Sequence, residues 1–177
     1  MFLVFSTSLH PHSKSRVLAR AAAAEINDQA ETCELIDLAE MNPLPLCNGH
    51  DCYSDPTVDQ LAQKITDARG VLIAAPVYNF DVSASCKNLI ELTGRAWNDK
   101  VIGLLCAAGG QGSYMAPVSF MNSMMLDFRC LCLPKFVYSV SEEAIVDEKI
   151  ADQTIAQRVD ELSKMLVKIC HALNDEN

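Results

Sequence analysis

The sequence predicts a doubly wound α/β domain: a five-stranded parallel sheet in the order 2-1-3-4-5, with helices on both faces. Three observations point there. The apolar runs are short, continuous and rich in Val, Ile, Leu and Phe, as in strands buried on both faces. Segments of helical spacing alternate with them, which implies parallel strands joined by right-handed crossovers. At 177 residues, 50% hydrophobic and 21% charged, the chain suits one domain over residues 1–177 with a core of ordinary size.

Phe2–Phe5 forms the first buried strand, and a polar loop runs from Ser6 to Ser15. Val17, Leu18, Ala21, Ala22 and Ile26 then recur at helical spacing, with Ser13 or Ser15 as the N-cap. Cys33–Leu38 is the second strand. Residues 39–55, with Asn42-Pro43, Pro45, Asn48-Gly49 and Asp55-Pro56, form an irregular loop. Asp55 caps a helix over Pro56–Ala68. Gly70–Pro76 is the clearest strand, ended by a proline that cannot donate to a ladder. A helix over Ala84–Ala96 precedes a strand over Lys100–Ala108, which Gly109-Gly110 stops. A helix over Met115–Leu126 and a strand over Leu131–Tyr138 follow. Met115, Met121, Met124 and Met125 read mainly as helix core. Ile155, Val159, Leu162, Leu166, Ile169 and Leu173 mark one face of a tail helix.

Composition excludes several classes. With 14 Lys+Arg against 23 Asp+Glu the net charge is −9, so nucleic acid is not an expected partner. No stretch approaches the length of a membrane span, and Met1–Phe5 is too short for a signal-peptide core, so a soluble cytoplasmic protein is expected. Eight cysteines in a reducing compartment stay free. Cys33, Cys106, Cys130 and Cys132 read as small buried hydrophobes. Cys47 and Cys52 fall in a polar loop, where oxidation would be incidental. No metal site is expected.

In doubly wound sheets ligands sit beyond the carboxyl ends of the strands. Three loops lie there. Ser6–Arg16 offers five hydroxyls, His10, His12, Lys14 and Arg16 where a helix begins, a phosphate cradle built from Ser and Thr rather than Gly. Pro76–Ser83 places Tyr78, Asn79 and Phe80 directly after a buried strand, where a flat ring could lie. Ala107–Tyr114 gathers three of the chain's seven glycines, permitting close approach of a planar ligand and positive φ angles.

These motifs resemble the NAD(P)H-dependent FMN reductase family, the flavodoxin-like group of chromate, azo-dye and quinone reductases. The family's first loop runs roughly G-S-x-R-x-x-S-x-N-R, and here it reads Thr7-Ser8-Leu9-His10-Pro11-His12-Ser13-Lys14-Ser15-Arg16. The family's P-x-Y-N followed by K-N-x-I-[DE] is matched by Pro76-Val77-Tyr78-Asn79 and Lys87-Asn88-Leu89-Ile90-Glu91. Its small-residue run ending in G-G-x-G matches Ala107 to Gly112. The resemblance covers about residues 1–140 and implies a flavodoxin-like three-layer sandwich that binds FMN.

Carried over, Ser8, His10, Ser13, Ser15 and Arg16 would hold the phosphate. Pro76, Val77, Tyr78, Asn79 and Phe80 would line the isoalloxazine, and Gly109, Gly110 and Gln111 would close the site. Two departures stand out: His10 replaces the loop arginine, and Thr7 replaces the glycine before Ser8. Histidine titrates near neutrality, so phosphate affinity could follow pH. The resemblance implies an NAD(P)H oxidoreductase working by ping-pong hydride transfer through FMN to a small-molecule electron acceptor (a quinone, azo compound, chromate or free flavin), with no catalytic acid–base pair and with a homodimer or homotetramer as its assembly. The alternative is an electron-transfer flavodoxin without NAD(P)H turnover. Arg16 could instead pair with a carboxylate near Glu25 or point to solvent.

Overall fold

Side chains alternate along each strand and so divide the core in two. In a computed structural model of the chain, describing residues 1–140 and 144–174, β1 (Phe2–Ser6) sends Phe2 and Val4 to one face of the sheet and Leu3 and Phe5 to the other. The first face is covered by α1 (Lys14–Asp28) and α5 (Gln153–Asn174). The second is covered by α2 (Pro56–Asp67), α3 (Ala84–Thr93) and α4 (Ala116–Phe128). β3 (Gly70–Tyr78) and β5 (Val101–Ala107) divide in the same way, with Ile73 and Leu104 on one side and Leu72 and Leu105 on the other.

With β2 (Cys33–Asp37), the strands run parallel in the order β2-β1-β3-β5, and the last place is shared by β6 (Leu131–Cys132) and β7 (Val137–Ser139). This is the expected 2-1-3-4-5 arrangement with two changes of detail. β4 (Asp81–Val82) is an added antiparallel stub on β3. The fifth strand, expected to run unbroken from Leu131 to Tyr138, is split, because Pro134 has no N–H and Lys135 takes a left-handed φ of 58°. A small hairpin, β8 (Ile145–Val146) with β9 (Lys149–Ile150), precedes α5.

β3 does not stop at Pro76 but continues to Tyr78, with Pro76 opposite Ala107. The carbonyl of Ala74 faces β1, where it accepts from Thr7. Two residues on, Pro76 turns its missing N–H to that same side, beyond the end of β1, where no ladder bond is lost.

The sheet's middle lies close under α5. A Cβ on Gly103 would come within 2.7 Å of Leu72 and 3.2 Å of Leu162, and one on Gly70 within 2.6 Å of the Cys170 sulfur. On the other face Trp97 is fully buried, tilted against Phe5 with ring centroids 6.0 Å apart, and its indole N–H donates to Thr93 Oγ1 at 2.7 Å. α3 is shorter than expected, since Gly94 (φ 42°) turns residues 94–97 into a tighter helical turn.

The sulfur-bearing residues divide less simply than the sequence suggests. Met124 is buried in the core and Met121 packs against it, but Met115 and Met125 are exposed. Cys106 and Cys130 are buried as expected, Cys33 and Cys132 only partly, and Cys52, expected in an open polar loop, is buried. No helix among the described residues is long and apolar enough to cross a membrane.

Candidate functional site

Register brings the three loops together. Ser6 lies opposite Ala74 and Pro76 opposite Ala107, so the chain leaves β1, β3 and β5 side by side at their carboxyl ends. Both the N–H and the hydroxyl of Thr7 donate to the Ala74 carbonyl, at 2.9 and 3.0 Å. Ser85, in the first turn of α3, donates its hydroxyl to the Thr7 carbonyl. A threonine in place of the family glycine is therefore used as a tie between strands. The loops enclose a cleft of about 260 Å³ lined by Ser8, His10, His12, Ser13, Lys14, Ser15, Pro76, Val77, Tyr78, Ala107, Ala108 and Gly109.

The first loop is held from beneath by Arg16. Its guanidinium is buried, pairs with the buried Asp37 carboxylate, and donates to the carbonyls of Ser8, His10 and Pro11 at 3.3, 3.1 and 2.8 Å. Because each trans peptide sets C=O and the following N–H on opposite sides, the inward carbonyls of Ser8 and Pro11 turn the N–H groups of Leu9 and His12 the other way. Asp37 can reach Arg16 because β2 pairs with β1 so that Asp37 lies opposite Ser6. Arg16 is not among the residues lining the cleft.

The outward side of this loop is a set of donors. Ser13 caps α1, accepting from the Arg16 N–H at 3.3 Å, and its hydroxyl lies 3.0 Å from that of Ser15. The first-turn N–H groups of Lys14 and Ser15 have no partner within the helix. His10 accepts the His12 N–H on Nδ1 at 3.1 Å, a geometry that assigns the proton of the neutral ring to Nε2 and makes that nitrogen a donor. Among the described residues no carboxylate lines the cleft. Three serine hydroxyls, open amides at a helix start, an imidazole and Lys14 fit a phosphate ester, and the apolar Pro76-Val77 wall beside bare Gly109 fits a flat ring.

The other two loops form the rim. Tyr78 and Asp81 pair across Asn79 and Phe80, both with positive φ (50° and 65°), the conformation of a two-residue type I′ hairpin. Asparagine tolerates this conformation, whereas phenylalanine is held there at a cost of roughly 1–2 kcal/mol. Tyr78 and Phe80 are each 54% exposed. The glycines at 109, 110 and 112 are not left-handed, contrary to one use expected of them; Gly110 is extended at φ −177°. Their missing side chains leave open space instead. Behind them Tyr138 donates to the Gly110 carbonyl at 3.0 Å, and Tyr114 packs on Tyr138 and Phe136 with centroids 5.2 Å away in both cases.

The cleft thus gathers Ser8, His10, Ser13, Ser15, Pro76, Val77, Tyr78 and Gly109. Asn79, Phe80, Gly110 and Gln111 lie outside its lining. His12, Lys14, Ala107 and Ala108 join it, having stood in the motifs without being assigned to the ligand. Asp37 was legible only as the last polar residue of an apolar strand. The Arg16 partner was sought near Glu25, which instead lies beside Asp160 and Asp28, where its carboxyl pKa is raised, mainly by burial. Lys87 and Glu91 form an ion pair at 2.8 Å on the exposed side of α3 and do not line the cleft.

A doubly wound sheet with a donor-rich helix start and a flat apolar wall at its switch point defines a flavodoxin-like mononucleotide-binding protein. Comparison with known proteins makes this specific: residues 1–144 match the family model described as NADPH-dependent FMN reductase, and the chain belongs to that family, one of flavin-dependent oxidoreductases. Among curated relatives, an NADPH:quinone oxidoreductase of Arabidopsis thaliana is 30% identical over 65% of this chain and 62% of its own length. An NAD(P)H:quinone oxidoreductase of Solanum tuberosum is 28% identical over 77% of this chain and 73% of its own. Among solved structures, the flavoenzyme NAD(P)H:(acceptor) oxidoreductase of Paracoccus denitrificans superposes with a TM-score of 0.78 over 97% of both chains, at 20% identity, and so shares the fold.

Proposed function

We propose that this protein is an NAD(P)H-dependent FMN oxidoreductase that reduces a quinone-type small molecule. The observation that carries the reading is the two-ended cleft: a cluster of donors at the start of α1, and an apolar wall at Pro76–Tyr78. The printed activities of the two plant relatives support the choice of acceptor. Bound there, FMN supplies the two-electron chemistry that links NAD(P)H to the acceptor. Ser8, Ser13, Ser15 and His10 bind and orient its phosphate. Pro76, Val77 and Gly109 hold the ring, and Tyr78 limits access to it. In this reading the chain's part is binding, orientation and exclusion of water. Donor and acceptor would use this same cleft in turn, as in a ping-pong cycle.

The rim favours a second copy of the chain as its cover. Tyr78, Phe80, Met115, Val118, Met125 and Leu126 are exposed apolar residues on the two rim loops and α4, and Leu126 is 77% exposed. A homodimer buries such a surface.

Steady-state oxidation of NADH and NADPH with a benzoquinone, by purified FMN-loaded protein, tests the reading. Turnover with parallel double-reciprocal lines is expected. No turnover by a yellow protein would assign it to electron-transfer flavodoxins instead. Intersecting lines would reject the ping-pong order, and a monomer by light scattering would reject the dimer.

A further inference from the structure

We propose that Cys47 and Cys52 are a peroxide-sensitive modification site that closes to a reversible disulfide. Their sulfurs lie 4.0 Å apart. The contact is built by the loop. Asn48 Oδ1 accepts from the N–H of His50 at 3.0 Å and of Cys52 at 3.4 Å, which folds residues 48–52 into a turn and sets the two cysteines together. A disulfide needs about 2.05 Å between sulfurs, so side-chain rotation and a small loop shift close it.

Cys52 differs from the chain's other buried thiols. Burial pushes Cys33, Cys86 and Cys130 up to about 12, Cys132 and Cys170 up to about 11, and Cys106 higher still. Burial also acts against ionisation of Cys52, but hydrogen bonds from the backbone at Asn48, Gly49 and His50 and from Cys47 outweigh it and lower its pKa. The thiolate is the nucleophile, so Cys52 is the attacking sulfur. Tyr53 lies 3.5 Å from the Cys47 sulfur; that hydrogen bond raises the phenol's pKa, so it keeps its proton and donates it. Cys47 and Tyr53 line a cleft of about 770 Å³ between α3 and α4; the buried Cys52 sulfur lies 4.0 Å from that of Cys47, so peroxide reaches it with the same small loop shift that closure needs.

The oxidant is hydrogen peroxide or an organic hydroperoxide. The Cys52 thiolate attacks one peroxide oxygen and the O–O bond breaks. The departing oxygen takes a proton, leaving as water or an alcohol, and Cys52 becomes a sulfenic acid. The Cys47 sulfur then attacks the Cys52 sulfur, the S–O bond breaks, and hydroxide leaves as water with the Cys47 proton. With hydrogen peroxide, two thiols and one peroxide give one disulfide and two waters. The Cys47 backbone N–H is held by Asn88 Oδ1 at 2.8 Å, and Asn88 in turn donates to the Pro45 carbonyl at 3.0 Å, so α3 steadies residue 47 during closure.

The test uses FMN-loaded protein without NAD(P)H, treated with a small excess of hydrogen peroxide and mapped by peptide mass spectrometry. Loss of two hydrogens on a linked 47–52 fragment, restored by dithiothreitol, is expected. The variant C47S should accumulate a dimedone-trapped sulfenic acid on Cys52, and C52S should oxidise at Cys47 at least tenfold more slowly than wild type does at Cys52. Two thiols that both stay alkylatable in wild type, a linkage involving another cysteine in their place, or equal rates in C52S would overturn the proposal. None of these readouts depends on reductase turnover.

Discussion

The loop after β1 and the rim formed by the loops after β3 and β5 meet at one cleft but are built in opposite ways. The first loop is organised from inside: a buried guanidinium gathers three carbonyls and a carboxylate, and Thr7 ties the loop's base to β3. The rim leaves Tyr78 and Phe80 half in solvent, with Phe80 in a left-handed turn. A site for a permanent charged group gains from pre-organised donors, because their ordering is complete before binding. A site that admits and releases apolar molecules gains from exposed surface that something else can cover. On the function proposed above, the first loop would retain the cofactor and the rim would serve exchange or assembly.

Removing one partner of the internal brace should have the largest effect. Asp37→Ala leaves the buried Arg16 charge uncompensated, and a loss of about 3–5 kcal/mol in chemical denaturation is expected. Arg16→Lys should recover only part of what Arg16→Ala loses, since an ammonium has three donors and no planar fork. A stability change under about 1 kcal/mol in Asp37→Ala would dissolve the contrast between the loops.

On α4, Leu126→Glu should leave the fold intact and halve the mass seen by light scattering, as a charge is costly in a dry apolar contact. Ser15→Ala should weaken FMN about tenfold in a fluorescence titration, the scale of one hydrogen bond to a charged group, with little change in acceptor KM. Ser13→Ala should add a helix-cap loss of about 1 kcal/mol to a similar change in affinity. The smallest effect is expected for Phe80→Gly, which should raise stability by about 1 kcal/mol by relieving the left-handed backbone. If the rim serves exchange, that variant changes acceptor KM while FMN affinity moves less than threefold; the reverse result would move Phe80 into the cofactor seat.

Much of this was readable from residue order. Ser13 as a cap, Asp55 before Pro56, the strands at residues 2, 33, 70 and 101, and the three loops at their carboxyl ends follow from local preferences and burial patterns. Family motifs singled out Ser8, His10, Ser15 and Tyr78, and the structure brings all four into one cleft. The path of β3 through Pro76 was not readable, because it depends on where the neighbouring strand ends. Nor was the exposure of Met125 and Leu126, since an apolar helix face looks the same in sequence whether it meets a core or a partner.

The sequence alone determined the alternating strands and helices, the two-faced core and the donor-rich start of α1, because each depends on residues within a few positions of one another. Tertiary structure decided that Arg16 pairs with Asp37 rather than with a carboxylate near Glu25, and that Arg16 supports the loop after β1 from beneath. It also decided that Cys52 turns inward against Cys47. The physical reason is common to these cases. Register between strands and the folding of a loop onto a helix are set by packing across the whole sheet, and no local pattern carries that information.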